Sequence, residues 1–285
     1  MTANQETTSK GFTLVELLVS LVIVSILAAL TLSGLATVRR VAKEDATRTT
    51  IRKIHEIIVP MYEGYLDKRV PATGAGRLAN IRMLLVREMP DVLDDVCSTA
   101  AEVSALPTFL QTGTVRAYQA FRQGTSRWNN AHEAAECLYL IVTRSGFQPD
   151  AMEHFRSTEI GDVDGDGAPE FLDAWGGPIR FRRWAPGFVS IIQPSPPTEH
   201  DPFDFNNADA AAFALQPLIF SDGLDKSFSV TKLESIGWRS LDLGIGGDLY
   251  SYDSATARAG VQPIGYELDP TKNYDNITNH DLVTR

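Results

Sequence analysis

The chain has 285 residues, a formal net charge of -10 and 44% hydrophobic residues. This length allows one or two domains, and the composition is that of a globular protein with enough apolar residues for a core. The acidic balance argues against nucleic-acid binding over the whole molecule and suits solubility and divalent cations. One local exception, just after the first apolar stretch, contains Arg39, Arg40, Lys43, Arg48, Arg52 and Lys53.

The first element is an apolar stretch from Phe12 to Leu35 in which Glu16 is the one ionisable side chain. At about 1.5 Å rise per residue, this stretch forms a helix of roughly 36 Å, enough to cross a hydrocarbon core of about 30 Å. We therefore expect a transmembrane helix over residues 12–36.

Glu16 is unusual in such a helix. A carboxylate in a bilayer costs on the order of 2.5–3.5 kcal/mol and usually has a partner. If the chain were cut after Gly11, the new ammonium group of a neighbouring subunit's Phe12 could neutralise Glu16 and set the register between packed helices.

An alternative interpretation of the same stretch is a secretory signal peptide whose apolar region ends near Ala28 and Ala29. Such apolar regions run about 7–15 residues, and the charged leader of this chain lies before a Gly–Phe junction. This alternative therefore fits the residues less well than a membrane helix.

The sequence Gly-Phe-Thr-Leu-Val-Glu, from Gly11 to Glu16, resembles the prepilin peptidase recognition site of type IV pilins and type II secretion pseudopilins. The resemblance implies a leader peptide at residues 1–11, cleavage after Gly11, methylation of Phe12 and a role for Glu16 in assembly. The partners that it implies are the prepilin peptidase, other pseudopilin subunits and the inner (cytoplasmic) membrane, with no nucleic acid.

The resemblance also implies a single-pass protein whose globular part lies on the periplasmic side and assembles into a periplasmic filament. The positive-inside rule, applied to the basic residues after the apolar stretch, favours the opposite orientation. The two orientations are opposite, and we predict the periplasmic one that the resemblance implies.

Beyond the apolar stretch, the helical pattern becomes amphipathic over residues 37–67. Apolar residues recur at spacings of 3, 4, 3 and 4, which is typical of one helix face; they are Ile51, Ile54, Ile58, Met61 and Tyr65. Pro60 should kink or end this helix near Ile58 or Val59, because proline lacks the backbone N–H.

Residues 68–150 are expected to form a helical insert with helices over 77–89, 114–122 and 130–144. Residues 151–285 are expected to form a β-rich domain with strands over 179–182, 187–192 and 218–220 and a loop over 194–209. We therefore predict an α+β, pilin-like fold: a long N-terminal helix packed on the helical insert and on a C-terminal antiparallel sheet with a calcium loop.

Residues 162–173 match the twelve-residue calcium loop by position. The ligands expected at positions 1, 3, 5, 7, 9 and 12 are Asp162, Asp164, Asp166, the carbonyl of Ala168, Glu170 and Asp173. Oxygen ligands without His or Cys favour Ca²⁺. Pro169 makes the flanking helices of an EF-hand improbable, and a solvated acidic turn is the alternative.

Two later segments resemble major pseudopilins: the Asp-x-Trp-Gly-x-Pro pattern that begins at Asp173, and the turn that ends at Asp225. In that family the second segment helps to hold a structural calcium ion. The resemblance therefore implies a second candidate metal site, although Lys226 stands where the family usually has glycine. Its candidate ligands are Asp222, Asp225 and Asp248.

Cys97 and Cys137 are the two cysteines of the chain. In an oxidising compartment they could form one disulfide that closes a loop of about 40 residues. The alternative is two buried free thiols, and the sequence leaves both open.

The sequence contains no nucleophile elbow, P-loop or dinucleotide fingerprint, so we expect a subunit without catalytic activity. The function predicted from these observations is a pseudopilin-like structural subunit of a type II secretion filament. The alternative is a membrane-anchored, calcium-dependent adhesive minor pilin.

Overall fold

The computed structural model describes residues 12–125, 127–195, 197–208, 212–227, 269 and 275–282. The chain forms two compact units with their boundary between Lys43 and Glu44. The first helix, α1, runs Leu14–Glu63 and contributes to both units.

In the first unit, α1 exposes its apolar side chains on all sides. Leu21, Val24 and Leu30 are each more than 60% exposed. This part of α1 is long and apolar enough to cross a membrane. Such a surface is unfavourable in water and suits lipid or other apolar helices.

In the second unit, α1 buries one face. Ile51, Ile54 and Ile58 are fully buried, and Met61 and Tyr65 are nearly so. This confirms the apolar face that the sequence predicts. Tyr65 lies in the 3₁₀ turn Gly64–Asp67 that follows the helix.

Of the two outcomes predicted for Pro60, a kink or an end of the helix near Ile58 or Val59, the end does not occur, because Pro60 lies inside α1, which continues to Glu63. A proline inside a helix costs about 3 kcal/mol through the lost hydrogen bond and the steric clash. Met61 and Tyr62, beyond the proline, are buried in the core. We attribute the continuation of the helix to this burial.

The helical insert contains α2 (Ala75–Glu88), α3 (Ala100–Ala105), α4 (Gly113–Gly124) and α5 (Glu133–Arg144). Short 3₁₀ turns lie at Leu93–Asp95, Thr108–Leu110, Ala151–His154 and Ser157–Glu159. The three predicted helices are confirmed as α2, α4 and α5. Helix α3 was not predicted, because one buried apolar residue, Val103, gives no periodic pattern.

Among the residues that the structure describes, the strands form two small antiparallel sheets. In the first, β1 (Ile160–Gly161) pairs with β2 (Glu170–Phe171), with Gly161 opposite Glu170. In the second, the order is β3 (Arg180–Arg182), β4 (Leu218–Ser221) and β5 (Ile277–Thr278). The architecture is therefore α+β, as predicted, and is consistent with a pilin-like fold.

The strand predicted over residues 187–192 does not form. Phe188 is buried, whereas Val189 and Ile191 are 61% and 78% exposed. The side-chain amide of Gln193 donates to the carbonyls of Ala185 and Phe188, so that these carbonyls are satisfied without a neighbouring strand.

Helix α5 packs against β2 and β3 and carries the apolar side chains of Leu138, Ile141 and Val142 into the main core. On the sheet side this core includes Phe171, Phe181 and Ile219, and all three are fully buried. The packing brings α5 beside the β1–β2 hairpin, whose connection is the acidic loop.

Candidate functional site

The acidic loop is the connection of the β1–β2 hairpin. The pairing of Gly161 with Glu170 closes residues 162–169 into a compact turn. Gly165 and Gly167 have φ angles of 77° and 96°, a left-handed conformation that favours glycine. Gly167 thus stands where the calcium-loop pattern requires a residue that permits a sharp turn.

The three aspartates of this loop accept hydrogen bonds from the loop's own backbone. The Asp162 carboxylate accepts from the amides of Gly165 and Gly167 at 2.7 and 3.0 Å. Asp164 accepts from the amide of Asp166 at 3.2 Å, and Asp166 from that of Ala168 at 2.8 Å. Carboxylate oxygens of the three aspartates lie within 4.8 Å of one another, close enough to share a metal ion.

A second group joins the loop to helix α5. Carboxylate oxygens of Glu136, Asp164 and Glu170 also lie within 4.8 Å of one another. Glu136 lies on α5 and is 1% exposed, and Glu170 lies on β2 and is fully buried. Asp164 belongs to both groups, so the structure brings together four of the loop residues predicted as ligands and adds Glu136.

Both buried glutamates have one satisfied and one unsatisfied oxygen. Oε2 of Glu170 accepts from the amide of Val163 at 3.0 Å, and Oε2 of Glu136 accepts from the Trp128 indole N–H. Oε1 of each is buried and, within the part of the chain that the structure describes, has no hydrogen-bond partner. A buried carboxylate oxygen in this state is unfavourable unless a proton or a cation reaches it.

Burial and the neighbouring negative charges strongly raise the pKa values of these two glutamates. Burial, with the charges of Asp166, Glu170 and Asp164, raises the pKa of Glu136 to about 9. Burial, with the charges of the three aspartates, raises the pKa of Glu170 to about 7. The cluster therefore favours the binding of protons or of a cation.

Asp173, predicted at position 12, belongs to neither group. Its Oδ1 accepts from the amides of Trp175 and Gly177, both at 2.8 Å, and its Oδ2 accepts from the Ser221 hydroxyl at 2.6 Å. The structure thus uses Asp173 to fix the turn into β3. Ala168, whose carbonyl was predicted at position 7, is fully buried in the loop.

Sequence reasoning missed Glu136 because it lies on a different element, well before the loop. A weak signal was present: Glu136 interrupts an otherwise apolar set on α5 that includes Ala135, Cys137 and Leu138. A carboxylate among buried positions usually has a partner.

At the start of the described chain, Thr13 and Glu16 cap helix α1. The Glu16 carboxylate accepts from the Thr13 amide at 2.9 Å and from its hydroxyl at 2.8 Å, and the Glu16 amide donates to the Thr13 hydroxyl at 3.2 Å. This reciprocal arrangement is a capping box. It satisfies hydrogen bonds of the carboxylate through neutral donors, and none of the hydrogen bonds among the described residues brings it a counterion. Gly11, the predicted cleavage position, lies outside the described residues.

Residues 7–32 match the family model of the prokaryotic N-terminal methylation motif. The chain carries the prepilin-type signal of type IV pilins and pseudopilins. No curated protein and no solved structure matches the chain. The match covers the last five residues of the predicted leader, Phe12 and Glu16, and, with the apolar part of α1, it indicates a membrane-anchored protein.

Two of the three residues of the second candidate metal site, Asp222 and Asp225, lie in the described part of the chain. Asp222 forms an ion pair with Arg180, whose Nη1 lies 2.6 and 2.8 Å from the two carboxylate oxygens. Asp225 accepts from the Ser227 amide at 2.8 Å. Asp248 lies outside the described residues. The Arg180 guanidinium supplies the positive charge beside Asp222.

Cys97 and Cys137 form no disulfide and are both buried. They lie in separate apolar clusters, Cys97 with Val103 and Val115 and Cys137 with Tyr118 and Leu140. Of the two alternatives that the sequence leaves open, the structure has the two buried free thiols. Burial raises the pKa of both thiols.

Proposed function

We propose that this chain is a structural, non-catalytic subunit of a type IV pilus-like filament that serves type II secretion. The observation that carries the proposal is Glu16, the one ionisable side chain of the apolar stretch Phe12–Leu35, inside the matched methylation motif. In this proposal, prepilin peptidase cuts after Gly11 and methylates Phe12. The subunit then joins a filament through the apolar part of α1.

The physical basis is charge neutralisation between neighbouring subunits. The capping box with Thr13 supplies neutral hydrogen-bond donors to Glu16, so that the carboxylate remains a net charge among apolar side chains. Cleavage creates one ammonium group per subunit at Phe12. In a filament, the Phe12 ammonium of one subunit neutralises the Glu16 carboxylate of the next and fixes the axial register of their helices.

The proposed location is the inner membrane, with the second unit on the periplasmic side before assembly. The basic residues after the apolar stretch argue for the opposite orientation by charge alone. We favour the periplasmic side because prepilin-type subunits are recognised through the N-terminal leader, which this orientation leaves in the cytoplasm. A reporter enzyme fused after Arg285 determines the side: periplasmic activity supports the proposal and cytoplasmic activity contradicts it.

Assembly is tested by Glu16→Gln in cells that make the filament. The substitution keeps size and hydrogen bonding and removes the charge, so we expect processing to continue and incorporation into sheared filaments to fall at least about tenfold. Glu44→Gln on the same helix, beyond the apolar stretch, is the matched control and should assemble normally. Normal assembly of Glu16→Gln would remove the basis of the proposal.

We further propose that the acidic loop binds Ca²⁺ and that the ion stabilises the folded domain. The oxygen-only donor set and the two unsatisfied buried oxygens of Glu136 and Glu170 support a hard divalent cation. An ion that binds only the folded state raises stability by mass action.

A second candidate function is a membrane-anchored, calcium-dependent adhesive minor pilin. The observation that favours it is the helical insert, which places four helices between the end of α1 and the first strand. Deletion of the gene separates the two functions. Loss of secreted proteins from the medium supports the secretion filament, whereas normal secretion with loss of surface attachment supports the adhesive pilin.

A further inference from the structure

Two buried glutamates lie close to Asp164 of the acidic loop, and one of them belongs to a different element of the fold. Glu136, from the helical insert, and Glu170, from β2, each have a carboxylate oxygen within 4.8 Å of the other's and of one from Asp164. Oε1 of each glutamate is buried and lacks a hydrogen-bond partner among the described residues. Two such groups side by side are strongly unfavourable unless something positive lies between them.

The hydrogen bonds that the structure gives to this cluster come from neutral donors. Asn129 donates through its amide and its Nδ2 to Asp166 at 2.8 and 3.0 Å, and through Nδ2 to Asp164 at 3.1 Å. The Trp128 indole donates to Glu136. These donors orient the carboxylates without neutralising them, which is the role of groups around a metal site.

The distances within each carboxylate group fit the coordination of a calcium ion. Each Ca²⁺ ligand oxygen lies about 2.3–2.6 Å from the ion, so two ligands of one ion lie at most about 5 Å apart. The oxygens of Glu136, Asp164 and Glu170 meet this limit, as do those of Asp162, Asp164 and Asp166. Asp164 is common to both groups and links them.

We propose that Glu136 of helix α5 is a direct ligand of the divalent cation bound by the acidic loop, in place of Asp173. The inference rests on the calcium binding proposed above and adds a ligand from outside the loop. An ion with ligands from both elements links α5, and with it the helical insert, to the β1–β2 hairpin. Removal of the ion should therefore loosen the contact between α5 and β2 as well as the loop.

The first test measures Ca²⁺ binding to the full-length chain in detergent by calorimetry. Glu136→Gln keeps the bond from Trp128 and removes a charged ligand, so we expect the Kd for Ca²⁺ to rise at least about tenfold. Glu133→Gln is the matched control: Glu133 is also buried on α5, accepts from the Leu93 amide and belongs to neither carboxylate group. It should bind Ca²⁺ as the parent does.

The outcomes separate the two proposals. If the parent binds Ca²⁺ and Glu136→Gln binds equally well, the loop holds the ion without α5 and this inference is wrong, while the calcium proposal stands. If the parent does not bind Ca²⁺, both metal proposals are wrong and the filament proposal is unaffected. A Kd raised equally in Glu133→Gln also overturns the inference, because the effect would then be structural.

A second test does not depend on the Glu136 variant. Tb³⁺ takes calcium sites and emits when a nearby tryptophan is excited, and the Trp128 indole contacts Glu136. We expect Trp128→Phe to lose most of the sensitised Tb³⁺ emission and Trp175→Phe, next to Asp173, to keep it. Emission that is retained in Trp128→Phe and lost in Trp175→Phe would place the ion near Asp173 and contradict the inference.

Discussion

Asp173 accepts a hydrogen bond of 2.6 Å from the hydroxyl of Ser221, which joins the end of the acidic loop to strand β4. Both residues are buried, and the other oxygen of Asp173 accepts from two backbone amides. The last acidic residue of the calcium-loop pattern therefore connects the two sheets. Its contribution to stability should be independent of metal.

Asp173→Ala should lower the free energy of unfolding by about 2–4 kcal/mol, because it leaves the Ser221 hydroxyl and two amides without their acceptor. Urea unfolding of the full-length chain in detergent measures the loss. The loss should be the same in EDTA and in Ca²⁺. Asp173→Asn, which keeps the geometry, should lose less. A loss that disappears in EDTA would instead make Asp173 a metal ligand.

Chelation of Ca²⁺ should lower the Tm of the parent chain, since an ion at a hundred times its Kd stabilises the folded state by about 2.7 kcal/mol. Asp164→Ala should abolish this response, because Asp164 is common to both carboxylate groups. Asp150→Ala, at an exposed carboxylate outside both groups, should respond as the parent does. An Asp164→Ala protein that still responds to EDTA would show that the ion lies elsewhere.

Arg183 is almost fully buried and lies 3.3 Å from Asp91 and 3.2 Å from Asp95. Burial raises the pKa of Asp95 to about 7, against the lowering effect of Arg183. Arg183→Met should destabilise the protein by about 3–5 kcal/mol, because it leaves two buried carboxylates without their counterion.

Thermal or urea unfolding measures this loss, with Arg156→Met at an exposed position as the control. Adding Asp95→Asn to Arg183→Met should recover part of the stability, because one of the uncompensated charges is removed. No recovery in the double variant would mean that Arg183 stabilises the protein through packing rather than through charge.

Burial lowers the pKa of His280 from 6.5 to about 4. The unfolded chain therefore binds a proton between these pH values that the folded chain does not. The stability that depends on neutral His280 is fully present above pH 6.5 and is lost as the pH falls towards 4, by up to about 3 kcal/mol.

His280→Gln should flatten this decrease when unfolding free energies are measured from pH 7 to pH 4. The exposed His154, substituted in the same way, gives the control. An unchanged pH profile in His280→Gln would contradict the predicted contribution of this imidazole.

The sequence predicted the elements whose signals are local and repeated. The spacing of Ile51, Ile54 and Ile58 predicted the buried face of α1, and the periodic helices α2, α4 and α5 formed within a few residues of their expected bounds. The methylation motif was found for the same reason, since its residues are consecutive.

The errors arose where tertiary contacts decide the outcome. Residues after Pro60 are buried in the core, and α1 therefore continues through a proline that locally favours the end of a helix. The Gln193 side chain replaces the strand partner expected for residues 187–192. Glu136 enters the carboxylate cluster through the packing of α5 on β2, and no spacing within the loop could indicate that contact.

The central claim is that this chain is a processed, polymerising pilin-like subunit, and the N-terminus of the mature protein tests it most directly. Co-expression with a prepilin peptidase, followed by mass spectrometry of the membrane fraction, should give a chain that begins with an N-methylated Phe12 and lacks residues 1–11. A chain that keeps its leader in the presence of active peptidase, or one cut near Ala28, would contradict the account.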